Sequence, residues 1–192
     1  MNQPAKQPSG TPFLTDIKTL RARARENIGT GNVTFTYEGD AQKTIEILQT
    51  VLATELVCVL RYTMHAVTAA GISSEAVKAE FQTHADEERA HAHSVAERIN
   101  QLGGTPNFDP KGLESRSASE FGSATKLVDM IKENLIAERI AVDHYRELIR
   151  YFGDSDPATR TMLQSILAVE EEHVNDMHDL LVAHQGVPTL DA

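Results

Sequence analysis

Four long stretches between residues 40 and 185 repeat an apolar side chain every three to four positions, the rhythm of helices that bury one face. The first starts at Asp40, a helix-capping residue after Gly39, and runs Ile45, Leu48, Leu52, Glu55, Val59, Tyr62, Ala66. The second follows a Ser73–Ser74 cap and runs Val77, Phe81, His84, Glu88, His91, Val95, Ile99, Leu102. The third runs Leu127, Ile131, Leu135, Glu138, Val142, Tyr145, Ile149, Phe152. The fourth is capped by Asp156, has Pro157 at its first position, and runs Leu163, Ile166, Glu170, His173, Met177, Leu180. The pattern predicts an all-α chain built on a four-helix bundle. Each apolar stripe is broken by a carboxylate, and two of them also by an imidazole.

Turn signals divide the stretches unequally. Gly71-Ile72-Ser73-Ser74 and Gly153-Asp154-Ser155-Asp156-Pro157 are short and predict tight helix–helix turns. Residues 103–122, GGTPNFDPKGLESRSASEFG, are too long for one. Some 20 extended residues reach roughly 66 Å, against about 44 Å for a helix of about 29 residues. A crossover running the length of the bundle is therefore feasible, giving the order up, down, down, up. Ahead of the bundle, residues 1–12 are rich in Pro, Gly, Ser and Gln and read as a mobile tail. Phe13, Ile17, Leu20 and Ala24 predict a short amphipathic helix ended by Gly29-Thr30-Gly31-Asn32, and 33–37 alternates as an extended segment. The expected division is a tail and short helix over 1–39, the bundle over 40–185, and a C-terminal tail over 186–192.

The polar interruptions are not scattered. Glu88-Arg89-Ala90-His91 and Glu170-Glu171-Glu172-His173 are two Glu-x-x-His pairs, and residues three apart share a helix face. Each pair has a single Glu upstream at almost the same distance: 33 residues from Glu55 to Glu88, 32 from Glu138 to Glu170. The midpoints of those intervals fall on the two tight turns. Partners joined antiparallel across such a turn lie about 16 residues from it, roughly 24 Å along each helix, and so at one height. An ionised carboxylate among Leu and Val is costly unless paired or bound to a metal. Four carboxylates and two imidazoles at one level share that need, and a pair of metal ions meets it. The simplest assembly holds one ion by Glu55 and His91 and the other by Glu138 and His173, with Glu88 and Glu170 bridging. Oxygen-rich sites with one imidazole per ion suit Fe or Mn, with Zn as an adventitious occupant. Two adjacent Fe(II) ions give up one electron each, so O2 or H2O2 is reduced by two electrons at once.

Composition adds limits. The chain has 192 residues, a net charge of −10, and one cysteine. Cys58 alone makes no intrachain disulfide and no cysteine-built zinc or iron–sulfur site, and it reads as a small buried hydrophobe. No apolar run is long enough for a membrane span, and the N-terminus lacks a signal-peptide core, so a cytoplasmic protein is expected. The acidic body disfavours DNA. The first 28 residues nonetheless hold Lys6, Lys18, Arg21, Arg23 and Arg25 against Asp16 and Glu26. Either a DNA-contacting arm or a solvated helix face packing on a neighbouring subunit fits that excess.

The halves of the bundle look like a degenerate repeat: ATELVCVLRY (53–62) and IAERIAVDHY (136–145) each carry a Glu with a Tyr seven residues later. Two helical turns place Tyr62 and Tyr145 on the faces of Glu55 and Glu138. Tyr62 is a candidate to bond a ligand carboxylate or supply an electron, with a core tyrosine as the plain alternative. His84, one turn before Glu88, is a satisfied buried histidine or a third ligand. Glu87, Glu171 and Glu172 read as solvated, and Met64 and Met177 as core.

The order Glu…Glu-x-x-His…Glu…Glu-x-x-His with one long crossover resembles the ferritin-like di-iron family, and within it residues 40–185 look most like bacterioferritin. The resemblance carries Glu55, Glu88, His91, Glu138, Glu170 and His173 onto ferroxidase-centre positions and Tyr62 onto the tyrosine beside it. It implies Fe(II) oxidation by O2 or H2O2 and, in cage-forming members, storage of Fe(III) mineral in a homo-oligomeric shell of twenty-four subunits. A twelve-subunit shell and a dimer are the smaller alternatives. Arg89 stands where bacterioferritin has its haem-ligating methionine, so haem binding is not expected. The basic N-terminal segment is similar to that of DNA-protecting Dps proteins, whose metal site lies between subunits. A non-storage di-iron or di-manganese peroxidase or oxygenase, which needs an apolar pocket beside the ions, and a structural bundle that binds a fortuitous ion without redox turnover are the remaining alternatives.

Overall fold

The computed structural model describes residues 15–29, 31, 37–71 and 74–185. The predicted tail over 1–12, Phe13, the segment 32–36, Ser73 and residues 186–192 lie outside them. The described chain forms six helices: α1 (Ile17–Glu26), α2 (Ala41–Thr68), α3 (Ser74–Gln101), α4 (Leu113–Arg116), α5 (Leu127–Phe152) and α6 (Pro157–Gln185). The four predicted long helices are α2, α3, α5 and α6. The one-turn helix α4 within the crossover has no counterpart in the apolar pattern.

The helix starts follow the capping chemistry. Asp40 accepts from the Lys43 amide at 3.0 Å, and Asp156 accepts from the Thr159 amide at 2.9 Å. Asp156 does more than cap: Arg98 of α3 reaches it at 2.9 Å, and the Tyr37 hydroxyl donates to it at 2.8 Å. One buried carboxylate thus ties the start of α6 to α3 and to the segment ahead of α2. Just past the end of α3 stands Gly103 (φ +85°), with Gly104 N–H bonding Ile99 C=O and Gly103 N–H bonding Asn100 C=O. That pair of bonds closes a helix through a left-handed residue, which favours glycine.

The crossover then follows α2 upward. Gln49 donates to Thr105 C=O and accepts from the Asn107 amide. Thr54 accepts from the Ala118 amide, and Arg61 donates to Ser119 Oγ and Glu120 C=O. Loop and helix advance together, which returns the chain to the end from which α5 descends. Across α2 and α5, Tyr62 meets Glu138 while Tyr145 meets Glu55, so these helices are antiparallel. Across α3 and α6, His84 stacks on His173 while Arg98 meets Asp156, so these are too. The up, down, down, up order follows.

Two apolar clusters fill the bundle. Leu48, Leu52, Val95, Ile99, Phe152 and Leu163 belong to one, and Val77, Phe81, Met130, Ile131, Met177 and Leu181 to the other. Met177 is buried as expected, whereas Met64 is only partly so. Between the clusters lies a belt of buried polar side chains.

Candidate metal centre

That belt holds all six residues singled out by the apolar stripes. Glu55, Glu88, Glu138, Glu170 and His173 are at most 1% exposed and His91 is 7% exposed, a burial that isolated ionised groups do not tolerate. One face of each long helix brings them together. Glu55, Glu88, His91 and Glu170 offer donor atoms within 4.8 Å of one another, and so do Glu88, Glu138, Glu170 and His173. Glu88 and Glu170 belong to both groups. The remaining residues divide as Glu55 with His91 and Glu138 with His173, the division expected of two ions bridged by two carboxylates.

Hydrogen bonding shows the same division atom by atom. Both oxygens of Glu88 and both of Glu170 lack a hydrogen-bond partner, as do one oxygen each of Glu55 and Glu138 and Nδ1 of His91 and of His173. The other oxygens of Glu55 and Glu138 are taken: Tyr145 donates to Glu55, and Tyr62 donates to Glu138 at 2.5 Å. Buried polar atoms normally find partners. Here the unpartnered atoms converge, and the donor set of carboxylate oxygens with one imidazole nitrogen per group fits Fe(II), Mn(II) or Zn(II).

The electrostatics are those of a site short of positive charge. Burial, reinforced by the charge of Glu88, pushes the Glu55 carboxyl up to about 8. Burial likewise raises Glu170 to about 7, against the attraction of the facing His173 and His91 imidazoles. For Glu138 burial is outweighed by the facing His173 imidazole and Glu170 carboxyl and by the nearby charge of Arg61, which hold it at about 2. Burial also works against a charged His91, yet Glu170, Glu55 and Glu88 raise it to about 12. His173 is raised in the same way by Glu138, Glu170 and Glu88. Protons on the imidazoles thus supply part of the charge that cations would supply.

The surroundings contain residues the apolar pattern did not single out. Glu87, read as solvated, pairs with His173 Nε2 at 2.8 Å and so turns Nδ1 inward, a common arrangement for a ligating histidine. Its position beside Glu88 was the only signal. Glu171, also read as solvated, pairs with Arg146 at the surface, and Glu172 is exposed. Arg61 is 1% exposed and donates to Asn134, Ser119, the Glu120 carbonyl and Cys58. Nothing in the periodicity distinguishes it from a surface arginine. Cys58 is buried and unpaired by disulfide. His84 belongs to neither four-residue group: its Nδ1 meets the Tyr62 hydroxyl at 3.1 Å, and its other nitrogen faces away. Arg89, at the position relevant to haem, pairs with Asp86 at the surface.

Residues 45–186 match the family model for the ferritin-like domain. The chain belongs to the ferritin-like family. Among curated relatives of this ferritin-like chain is the DNA protection during starvation protein of Pyrococcus furiosus, 30% identical over 145 residues, covering 74% of this chain and 78% of that protein. A nutrient stress-induced DNA-binding protein of Synechococcus is 30% identical over 130 residues, covering 66% and 74%. Among solved structures, the dodecameric thioferritin of Bacteroides fragilis, described as bacterioferritin-related, superposes with a TM-score of 0.73 at 32% identity, covering 77% of this chain and 89% of that one. Dps from Thermosynechococcus elongatus superposes with a TM-score of 0.70 at 18% identity over 73% and 90%, a likeness of fold. Among the described residues, no helix is long and apolar enough to cross a membrane.

Proposed function

We propose that this chain is a ferroxidase: it takes up two Fe(II) ions between Glu55, Glu88, His91, Glu138, Glu170 and His173 and oxidises them with O2 or H2O2. The observation that carries this reading is the pair of overlapping four-residue groups whose shared carboxylates, Glu88 and Glu170, have all their oxygens unpartnered. Each Fe(II) loses one electron, and the two electrons with two protons take O2 to H2O2, or H2O2 to two waters. The protein's part is to hold the two ions adjacent and to keep the terminal carboxylates aimed through Tyr62 and Tyr145. Titratable carboxyls and imidazoles around the ions give up their own protons as the ions enter.

Rapid mixing of Fe(II) with the air-saturated protein tests this, with Fe(III) formation followed by absorbance. Glu88→Ala is expected to remove the fast phase while the circular dichroism of the helices is retained. A wild-type rate in that variant would falsify the site.

Storage of the product belongs to the same reading and needs an enclosed shell. The thioferritin of Bacteroides fragilis is dodecameric. In this chain Leu60 and Val67 of α2 and Ile136 and Ile140 of α5 are exposed apolar side chains, which suits a neighbouring subunit. Light scattering of the purified protein is expected to give a closed homo-oligomer, with twelve subunits as the leading number. A monomer in solution removes the container and leaves only the catalytic part of the proposal.

A second reading, protection of DNA by the same shell, is favoured by the names of both curated relatives and by α1. That helix has no buried residue, and Lys18, Arg21, Arg23 and Arg25 are all exposed. A gel shift that weakens with salt and vanishes on deletion of residues 1–28 is the expected result. An unchanged shift after that deletion places the contact elsewhere.

A further inference from the structure

A second group of metal-binding side chains lies outside the dinuclear cluster, on the far side of the His84 ring. His84 is 1% exposed, and its Nε2 points at Glu80 of the same helix, 3.4 Å away, and at Asp176 of α6, 3.5 Å away. The three offer donor atoms within 4.8 Å of one another. The two carboxylates line a surface recess of about 280 Å³ with Asp179 and Leu180, so the group has a solvent-facing side at Glu80 and Asp176, with His84 buried behind them.

The hydrogen bonds on the other edge of the ring decide what Nε2 has available. The hydroxyl of Tyr62 has one proton, and it is given to Glu138. Toward His84 the same hydroxyl is therefore an acceptor, so His84 Nδ1 carries a hydrogen and donates it at 3.1 Å. In the neutral ring Nε2 then has a bare lone pair, and that lone pair faces two carboxylates. Three electron-rich groups turned toward one point favour a positive charge between them, a proton on Nε2 or a cation. The spacing suits an ion better than a proton. Distances of 3.4 and 3.5 Å exceed those of a good N–H···O bond, about 2.7–3.2 Å. Ligand atoms each about 2.1 Å from a shared cation stand roughly 3.0–3.5 Å apart.

We propose that Glu80, His84 and Asp176 form a binding site for a third divalent transition-metal cation, separate from the dinuclear pair. One imidazole with two carboxylates selects an ion of the Fe(II), Mn(II) or Zn(II) kind over Ca(II) or Mg(II), which prefer oxygen alone. The site is tied to the inner cluster by two routes. The His84 ring stacks on the His173 ring with centroids 3.9 Å apart, and His84 Nδ1 holds the tyrosine that holds Glu138. A cation on Nε2 locks the tautomer this chain of bonds requires, as an outer hydrogen bond does for ligating histidines generally.

The test uses the full-length protein and Zn(II), with ions per chain counted by equilibrium dialysis and metal analysis. Side chains of Glu80 and Asp176 are 39% and 49% exposed, so Glu80→Gln with Asp176→Asn leaves the core intact, and a thermal melt verifies it. The double variant is expected to hold one Zn(II) fewer than wild type. An unchanged count overturns the proposal. A second variant, Glu88→Ala with Glu170→Ala, removes the bridging carboxylates; it is expected to keep one Zn(II), and that ion is expected to disappear when Glu80→Gln and Asp176→Asn are added. Loss of every ion on removing the bridging carboxylates alone also overturns the outer site. Wild-type protein that holds the outer ion and no inner pair instead overturns the dinuclear reading and leaves this one standing.

Discussion

The Tyr62 hydroxyl on α2 donates to the Glu138 carboxylate on α5 at 2.5 Å. Its counterpart, Tyr145 on α5, donates to Glu55 on α2. Each tyrosine therefore serves the glutamate of the other half of the bundle, not the one seven residues before it in its own helix. The two halves are locked by reciprocal bonds, and Glu55 and Glu138 each have one oxygen held and one oxygen facing the cluster.

Tyr62→Phe and Tyr145→Phe are expected to lower affinity for Co(II) or Zn(II) by about 10–100-fold, the usual cost of losing an outer hydrogen bond to a ligand. The metal-free variants are also expected to lose about 1–3 kcal/mol of stability, because a buried carboxylate oxygen is left unsatisfied. Metal titration and chemical denaturation measure the two effects. Burial, then the charge of Glu138, raises Tyr62 above its ordinary value, so the hydroxyl stays a donor across the physiological range. Unchanged affinity in both variants means that helix packing alone aims the carboxylates.

The metal-free protein is expected to lose stability as pH rises from about 5 to 9. Glu55 and Glu170 are raised from 4.5 to about 8 and about 7. Carboxyls raised by folding contribute stability below their unfolded value and lose it as pH climbs through the folded one. His91, raised from 6.5 to about 12, adds stability that is complete below 6.5 and declines above it. Glu138 runs the other way: lowered from 4.5 to about 2, it contributes above 4.5 and is lost only in acid. Thermal melts with and without Zn(II) across that range check the sign. The gap between the two curves widens with pH, since ions compete with fewer protons. A flat metal-free curve contradicts the charge balance described for the cluster.

Arg61→Ala is expected to destabilise the protein by roughly 2–4 kcal/mol, with several buried groups left unpaired at about 1–3 kcal/mol each. Arg61 donates to Asn134 on α5 and to Ser119 and Glu120 in the crossover, so the same variant frees that loop. Limited proteolysis is expected to cut near residues 117–124 in the variant and to spare wild type. Cleavage patterns that do not differ mean that Thr54 and Gln49 anchor the crossover without it.

The sequence by itself determined the four long helices, their order and the level of the site. Helical periodicity is local, and a carboxylate on an apolar stripe is visible wherever the stripe is. The mirrored spacings about Gly71 and Gly153 placed Glu55 beside Glu88 and Glu138 beside Glu170, because two helices joined by a tight turn keep equal rise on either side. Caps at Asp40 and Asp156 were legible for the same reason, being set within one turn of chain. Only the tertiary structure decided which tyrosine meets which glutamate, since the predicted antiparallel order does not say how closely α2 and α5 approach or which side chains meet between them. It also decided that Arg61 is a buried post for that crossover and that Glu87 orients His173. Exposure of a charged side chain depends on what other helices bring against it, and that is a property of packing. His84 shows the division most plainly. Its place on the stripe gave burial, while the partners of its two nitrogens come from α2 on one side and α6 on the other.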